Sequence, residues 1–173
     1  SSPVRYIQLF EQINTVQYNA NRGVSGIDGC TSTMIGAASI NNNLTLLISG
    51  DLSFVYDINA LWNNHLTSNI RIIVINNSGG GIFRIIPGPS TTKQFEDFFE
   101  VGNNANIQQL VAAHNINYYN ACNEASLEEA LPNFYGEQEN KRPAVLEIFT
   151  PKEANAFILK SYFECIKENS SKC

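Results

Sequence analysis

The sequence predicts an α/β domain: a doubly wound, mainly parallel sheet of five or six strands with helices on both faces. Three observations carry this reading. Residues 44–49 (LTLLIS), 70–76 (IRIIVIN) and 144–149 (AVLEIF) are apolar runs, the pattern of strands covered on both sides. Segments of helical periodicity separate them, as crossover connections require. With 173 residues, 43% hydrophobic and 16% charged, the chain can build one core.

The elements follow in order. Residues 4–13 have apolar positions at helical spacing, with Pro3 near the first turn. A short strand is expected at 16–19, then a glycine-punctuated loop over 21–29. Residues 31–40 read as a helix whose small Gly36, Ala37 and Ala38 allow close packing on a sheet. The strand 44–49 leads to a helix from 53 to about 66, and then to the strand 70–76. A long irregular stretch, 77 to about 94, is suspect as functional because loops of that length usually are. A helix at 107–114, a strand at 118–121, a helix at 127–134, the strand 144–149 and a helix at 152–167 complete the chain.

Composition excludes several classes. Sixteen Asp+Glu against 11 Lys+Arg leave a net charge of −5, with no basic cluster to suit a nucleic acid or an anionic membrane. No apolar run approaches the roughly 20 residues of a membrane span, and no signal-peptide pattern opens the chain. Cys30, Cys122, Cys165 and Cys173 lie far apart, without metal-ligand spacing, which fits a reducing, cytoplasmic setting. The chain opens on Ser1 and its one methionine is Met34, so a fragment of a longer protein is expected.

In open parallel sheets, ligands bind beyond the carboxyl ends of the strands. Three polar, glycine-rich turns fall there: 21–29, Gly50-Asp51-Leu52-Ser53, and 77–81 (NSGGG). Asp51 and Asn77 are 26 positions apart, room for one crossover helix and the returning strand, so they land as neighbours. A carboxylate, an amide oxygen and a carbonyl in a glycine turn are hard donors suited to Mg²⁺ or Ca²⁺. The helix that opens after Gly50 presents free N–H groups to the same place, favouring a diphosphate. Each fragment alone also reads as ordinary turn and cap chemistry. Their convergence favours a metal–diphosphate site.

These residues carry a resemblance. Gly50-Asp51, a helix, and a strand ending in Asn76-Asn77 resemble the signature of thiamine-diphosphate decarboxylases and carboligases, with Leu52 where most members have a third glycine. GDLSFVYDINAL, NNSGGGIF, NRGVSGIDG and the opening SSPVR are similar to the 2-succinyl-5-enolpyruvyl-6-hydroxy-3-cyclohexene-1-carboxylate synthases, carboligases of menaquinone biosynthesis. The likeness spans Ser1 to about Pro87; beyond that it rests on the strand–helix pattern.

The resemblance implies the thiamine-diphosphate-binding fold over residues 1–173, as one domain of a larger enzyme. It implies Mg²⁺, with Mn²⁺ an alternative occupant, held by Asp51, Asn77 and the Gly79 carbonyl. Gly50, Leu52, Ser53, Ser25 and Ile27 would also meet the cofactor, Ile27 as the apolar prop beneath it. Arg5, Arg22 and Ser1 would bind dicarboxylate substrates, and Ile82, Phe83 and Ile86 would line their pocket. The implied reaction decarboxylates 2-oxoglutarate and adds the succinyl semialdehyde unit to isochorismate, with the cofactor as electron sink. The activating Glu of such enzymes comes from a pyrimidine-binding domain of a neighbouring subunit, so no catalytic residue is assigned here. A homodimer or homotetramer follows, and the isolated chain is expected not to turn over. Two rivals share part of the pattern: an acetolactate-synthase-like carboligase or decarboxylase, and a non-catalytic α/β binding domain. A dinucleotide fold lacks its G-x-G-x-x-G after the first strand.

Overall fold

The computed structural model describes residues 2–21, 23–24, 26–86, 88–102, 104–136 and 141–170, with backbone only for Ser2, Arg5, Tyr6, Asn169 and Ser170. Its centre is a parallel sheet of four strands: β1 (Thr45–Gly50), β2 (Ile70–Asn76), β3 (Asn117–Ala121) and β4 (Ala144–Phe149), in the order β1-β2-β4-β3. Among the described residues seven α-helices accompany them: α1 (Ser2–Ile7), α2 (Cys30–Ala38), α3 (Asp51–Tyr56), α4 (Ile82–Ile85), α5 (Ile107–Ala113), α6 (Glu124–Tyr135) and α7 (Ala154–Ser170). None of the described helices is long and apolar enough to cross a membrane.

Pairing partners share a face, so the register sorts the strand residues. Ile72 pairs with Leu47 and Val145, and Val145 with Tyr118. That face is covered by Met34 and Ile35 of α2, Phe54 of α3, Leu61 of the 3₁₀ turn Ile58–Trp62, and Ile107 and Val111 of α5. On the other face Ala144, Leu146 and Ile73 pack against Ala130 and Phe134 of α6. Helices therefore lie on both faces, as doubly wound sheets require. Arg71 points into the second face, where its guanidinium donates to the carbonyls of Phe134 (2.5 Å) and Gly136 (2.9 Å) and so caps the end of α6.

Three expectations need correction. Residues 16–19 form no strand: Val16 and Tyr18 are 48% and 40% exposed, and the segment pairs with no strand among the described residues. The sheet thus has four described strands rather than five or six. The first helix stops at Ile7, leaving Phe10 and Ile13 exposed. The helix expected over 53–66 starts two residues earlier and breaks at Asp57. There the carboxylate turns to accept the Ser32 N–H (2.7 Å) and O–H (3.0 Å), tying α3 to the start of α2. The long irregular stretch also has structure: α4, a 3₁₀ turn Pro89–Thr91 and a π-helical turn Phe95–Phe99.

Candidate functional site

β1 and β2 run side by side, with Gly50 paired to Ile75, so the residues that follow each strand emerge together at the carboxyl rim. Asp51 opens α3 there and is 1% exposed. Burial pushes its carboxyl from the ordinary 3.8 up to about 6. The N–H groups of Leu52, Asp51 and Gly79 pull it back only in part, and the Glu147 charge adds to the rise. Asp51 Oδ2 is buried without a hydrogen-bond partner among the described residues. No described side chain neutralises it by an ion pair.

The turn after β2 faces this carboxylate. One terminal atom of the Asn77 amide lies 2.9 Å from the Gly79 carbonyl oxygen and 3.2 Å from Asp51 Oδ1. With nitrogen on that side, the amide donates to both oxygens. With oxygen on that side, three acceptors converge, an arrangement that a bound cation would satisfy. The donor set of one carboxylate, one amide and one carbonyl fits a hard divalent ion, and the unpartnered Oδ2 fits it too. The described residues contain no cluster of three or more His, Cys, Asp or Glu that could serve a softer metal instead.

Two glycines make this turn possible. Gly79 sits at φ 141°, and a Cβ there would lie 2.2 Å from the Glu100 carbonyl oxygen. A Cβ on Gly81 would lie 2.4 Å from Asn77 Nδ2. Backbone is drawn in tight here, and side chains on either residue would push it out.

The remaining residues expected at the site divide. Ile27 and Ser53 come together: the Ser53 hydroxyl donates to the Ile27 carbonyl at 2.6 Å, so the 26–29 loop reaches the rim although no strand precedes it. Ile27 itself is 39% exposed. Leu52 is half-buried, and its N–H faces the Asp51 carboxylate. Ile82 and Phe83 lie on α4 with Ile86 at its end, all half-buried, and the Phe83 ring packs edge-on against Phe99 at 5.7 Å. Arg5 lies in α1, with its side chain outside the described part of the molecule. Ser1, Arg22 and Ser25 lie outside the described residues.

Sequence reasoning missed two groups around this rim. Glu147 of β4, 3% exposed, accepts from the Tyr118 hydroxyl and from Asn76 Nδ2, each at 2.6 Å. Burial and this acceptor push the Tyr118 hydroxyl far up, so it remains a donor. Behind the Gly79 turn, fully buried Glu100 is gripped by Arg84, whose Nε and Nη2 reach its two oxygens, and by Lys152 Nζ at 3.0 Å. A charge within a buried apolar strand was the available signal for the first group. Nothing in the spacing announced the second.

A buried carboxylate with an unpartnered oxygen thus lies beside a glycine turn at the carboxyl rim of a parallel sheet, the place where open α/β sheets bind their ligands. Residues 4–148 match the family model of the thiamine pyrophosphate enzyme C-terminal TPP-binding domain, and the chain belongs to that family. It is also similar to proteins named 2-succinyl-5-enolpyruvyl-6-hydroxy-3-cyclohexene-1-carboxylate synthase. The relative from Christiangramia forsetii is 44% identical over 167 residues, 96% of this chain and 29% of that protein. The one from Porphyromonas gingivalis is 44% identical over 171 residues, 98% of this chain and 29% of that protein. The one from Bacteroides fragilis is 40% identical over 167 residues, 96% of this chain and 30% of that protein. The chain thus spans less than a third of the length of these relatives.

Proposed function

We propose that this chain is the thiamine-diphosphate- and Mg²⁺-binding domain of a carboligase of menaquinone biosynthesis, one that decarboxylates 2-oxoglutarate and adds the succinyl semialdehyde unit to isochorismate. The observation that carries it is the convergence of the buried Asp51 carboxylate, the Asn77 amide and the Gly79 carbonyl at the start of α3. The names of the relatives support the particular reaction.

In this reading Asp51, Asn77 and the Gly79 carbonyl would hold the cation, which would bridge to the cofactor's diphosphate. Bound thiamine diphosphate supplies the electron sink that makes decarboxylation of a 2-oxo acid feasible. The chain's own residues bind and orient. The divalent charge offsets the buried Asp51 carboxylate, which keeps it ionised near neutral pH. Gly79 and Gly81 let backbone approach closely, and Ser53 anchors the Ile27 loop at the rim. Ile82, Phe83 and Ile86 would line the substrate side, and Arg5 and Arg22, with Ser1, would meet substrate carboxylates.

The activating Glu and the second half of the site would come from the pyrimidine-binding domain of a neighbouring subunit, in a cytoplasmic homodimer or homotetramer. Calorimetric titration of the full-length protein with thiamine diphosphate and Mg²⁺ tests the core of this. Asp51→Ala should abolish the binding; unchanged affinity would sink the metal site. Arg22→Ala should raise the KM for isochorismate, and an unchanged KM would favour an acetolactate-synthase-like substrate range. The isolated chain, supplied with cofactor and Mg²⁺, should not consume 2-oxoglutarate.

A further inference from the structure

Glu147 is the one charged residue of β4, and it is buried beneath the rim. Among the described residues it forms no ion pair. Its two oxygens are divided between two neutral donors on the neighbouring strands: Tyr118 Oη of β3 on Oε2 and Asn76 Nδ2 of β2 on Oε1. A carboxylate buried this way costs stability that an apolar residue of the same size would not. Packing alone does not account for it.

Its geometry points at the turn. Asn76 immediately precedes Asn77, and an ionised carboxylate can only accept, so the Asn76 nitrogen must face Glu147. That leaves Asn76 Oδ1 to accept the Ser78 N–H at 2.9 Å. Ser78 stands at φ 59°, a left-handed conformation unfavourable for serine, and Gly79 follows at φ 141°. The Tyr118–Glu147–Asn76 chain therefore ends on a hydrogen bond that helps hold this turn in its unusual shape, alongside the bond from the Gly80 N–H to the Glu100 carbonyl. The turn in that shape brings Asn77 and the Gly79 carbonyl to Asp51.

We propose that Glu147 is a positioning residue for the divalent cation: through Asn76 it sets the 76–79 turn, and its charge, with no cation of its own, favours a divalent ion at the rim. This rests on the reading of Asp51, Asn77 and Gly79 as cation ligands. Groups that orient metal ligands commonly contribute about 10- to 100-fold in affinity.

The test is Mn²⁺ binding to the full-length protein in the presence of thiamine diphosphate, followed by electron paramagnetic resonance. Glu147→Gln should weaken Mn²⁺ binding by about 10- to 100-fold. Activity should return as Mn²⁺ is raised to saturation. Tyr118→Phe, which keeps the ring and removes only the hydroxyl, should weaken Mn²⁺ binding in the same direction by less. It carries the test if Glu147→Gln does not fold. Lower thermal stability with unchanged Mn²⁺ affinity in these variants would overturn the proposal while leaving the site intact, provided Asp51→Asn still abolishes binding. Unchanged affinity in Asp51→Asn would remove the cation site itself, and the proposal with it.

Discussion

Asp51 and Glu100 lie on either side of the Gly79 turn and are equally hidden from solvent, at 1% and 0% exposure. Glu100 is served by two cations: Arg84 through both oxygens and Lys152 through one, with the Arg84 guanidinium also 5.1 Å above the Phe95 ring. Burial alone would push the Glu100 carboxyl up, yet these donors and their charges outweigh it and hold it below the ordinary 4.5. Asp51 has only backbone N–H groups and the Asn77 amide, and its carboxyl rises to about 6. A compensated buried charge clamps the fold: here it joins α4 to the segment before α7. An uncompensated one is a cost to the fold, retained where a ligand offsets it.

That contrast can be broken most sharply at Glu100. Glu100→Ala removes the acceptor shared by Arg84 and Lys152, both partly exposed and Arg84 still 3.7 Å from Glu96. It should destabilise the protein by about 2–3 kcal/mol in urea unfolding. A loss below about 1 kcal/mol, the range of an exposed pair, would mean that the cluster is no clamp. Asp51→Asn should do the opposite in the ligand-free protein. The folded carboxyl titrates above its ordinary 3.8, so the native state keeps its proton longer and stability falls as pH rises from about 4 to about 6. Above that window the penalty is complete, on the order of 3 kcal/mol at about 1.36 kcal/mol per pH unit. Asp51→Asn should therefore stabilise at pH 8 and bring no gain near pH 4. Glu100 contributes with the reverse sign, its stabilisation present above 4.5 and lost on further acidification.

Smaller effects sharpen the boundary between the two regions. Gly79→Ala forces a side chain into a left-handed position against the Glu100 carbonyl and should cost about 1–3 kcal/mol, measured by thermal unfolding. Ile27→Ala, on a half-exposed loop, should leave stability within about 0.5 kcal/mol. Its effect should appear as weaker thiamine diphosphate binding in calorimetry, and a large stability loss would place Ile27 with the fold rather than the site.

Much of this was legible in the sequence, for physical reasons. β2 and β4 are covered on both faces, and such strands leave continuous apolar runs; β1 has a similar run although it lies at the edge of the described sheet with Leu46 39% exposed. Asp51 and Asn77 were found because one crossover has a narrow range of lengths, and β1 and β2 are joined by one. The segment around Val16 misled because alternation is a local signal, and whether a segment reaches a sheet edge depends on tertiary placement. The helix after Asp51 was drawn too long because its break depends on Ser32, 25 residues away. Glu147, Tyr118 and Asn76 come from three strands, and no local pattern joins residues whose adjacency depends on strand order. The Arg84–Glu100–Lys152 cluster escaped because its members lie on a helix and two loops far apart in sequence.

The strand order also has a consequence in time. β4 is the last of the described strands to be made, yet it lies between β2 and β3. Parallel pairings of such sequence separation are slow to form, since a long loop must close before they stabilise anything. During synthesis β1, α3 and β2 can assemble early and bring Asp51 beside Asn77. The brace under that turn arrives only when residue 147 does. A nascent chain halted before Ala144 would present Asp51, Asn77 and Gly79 on an open sheet edge, with Asn76 and Tyr118 lacking their shared acceptor. Maturation of the rim is thus coupled to completion of the sheet.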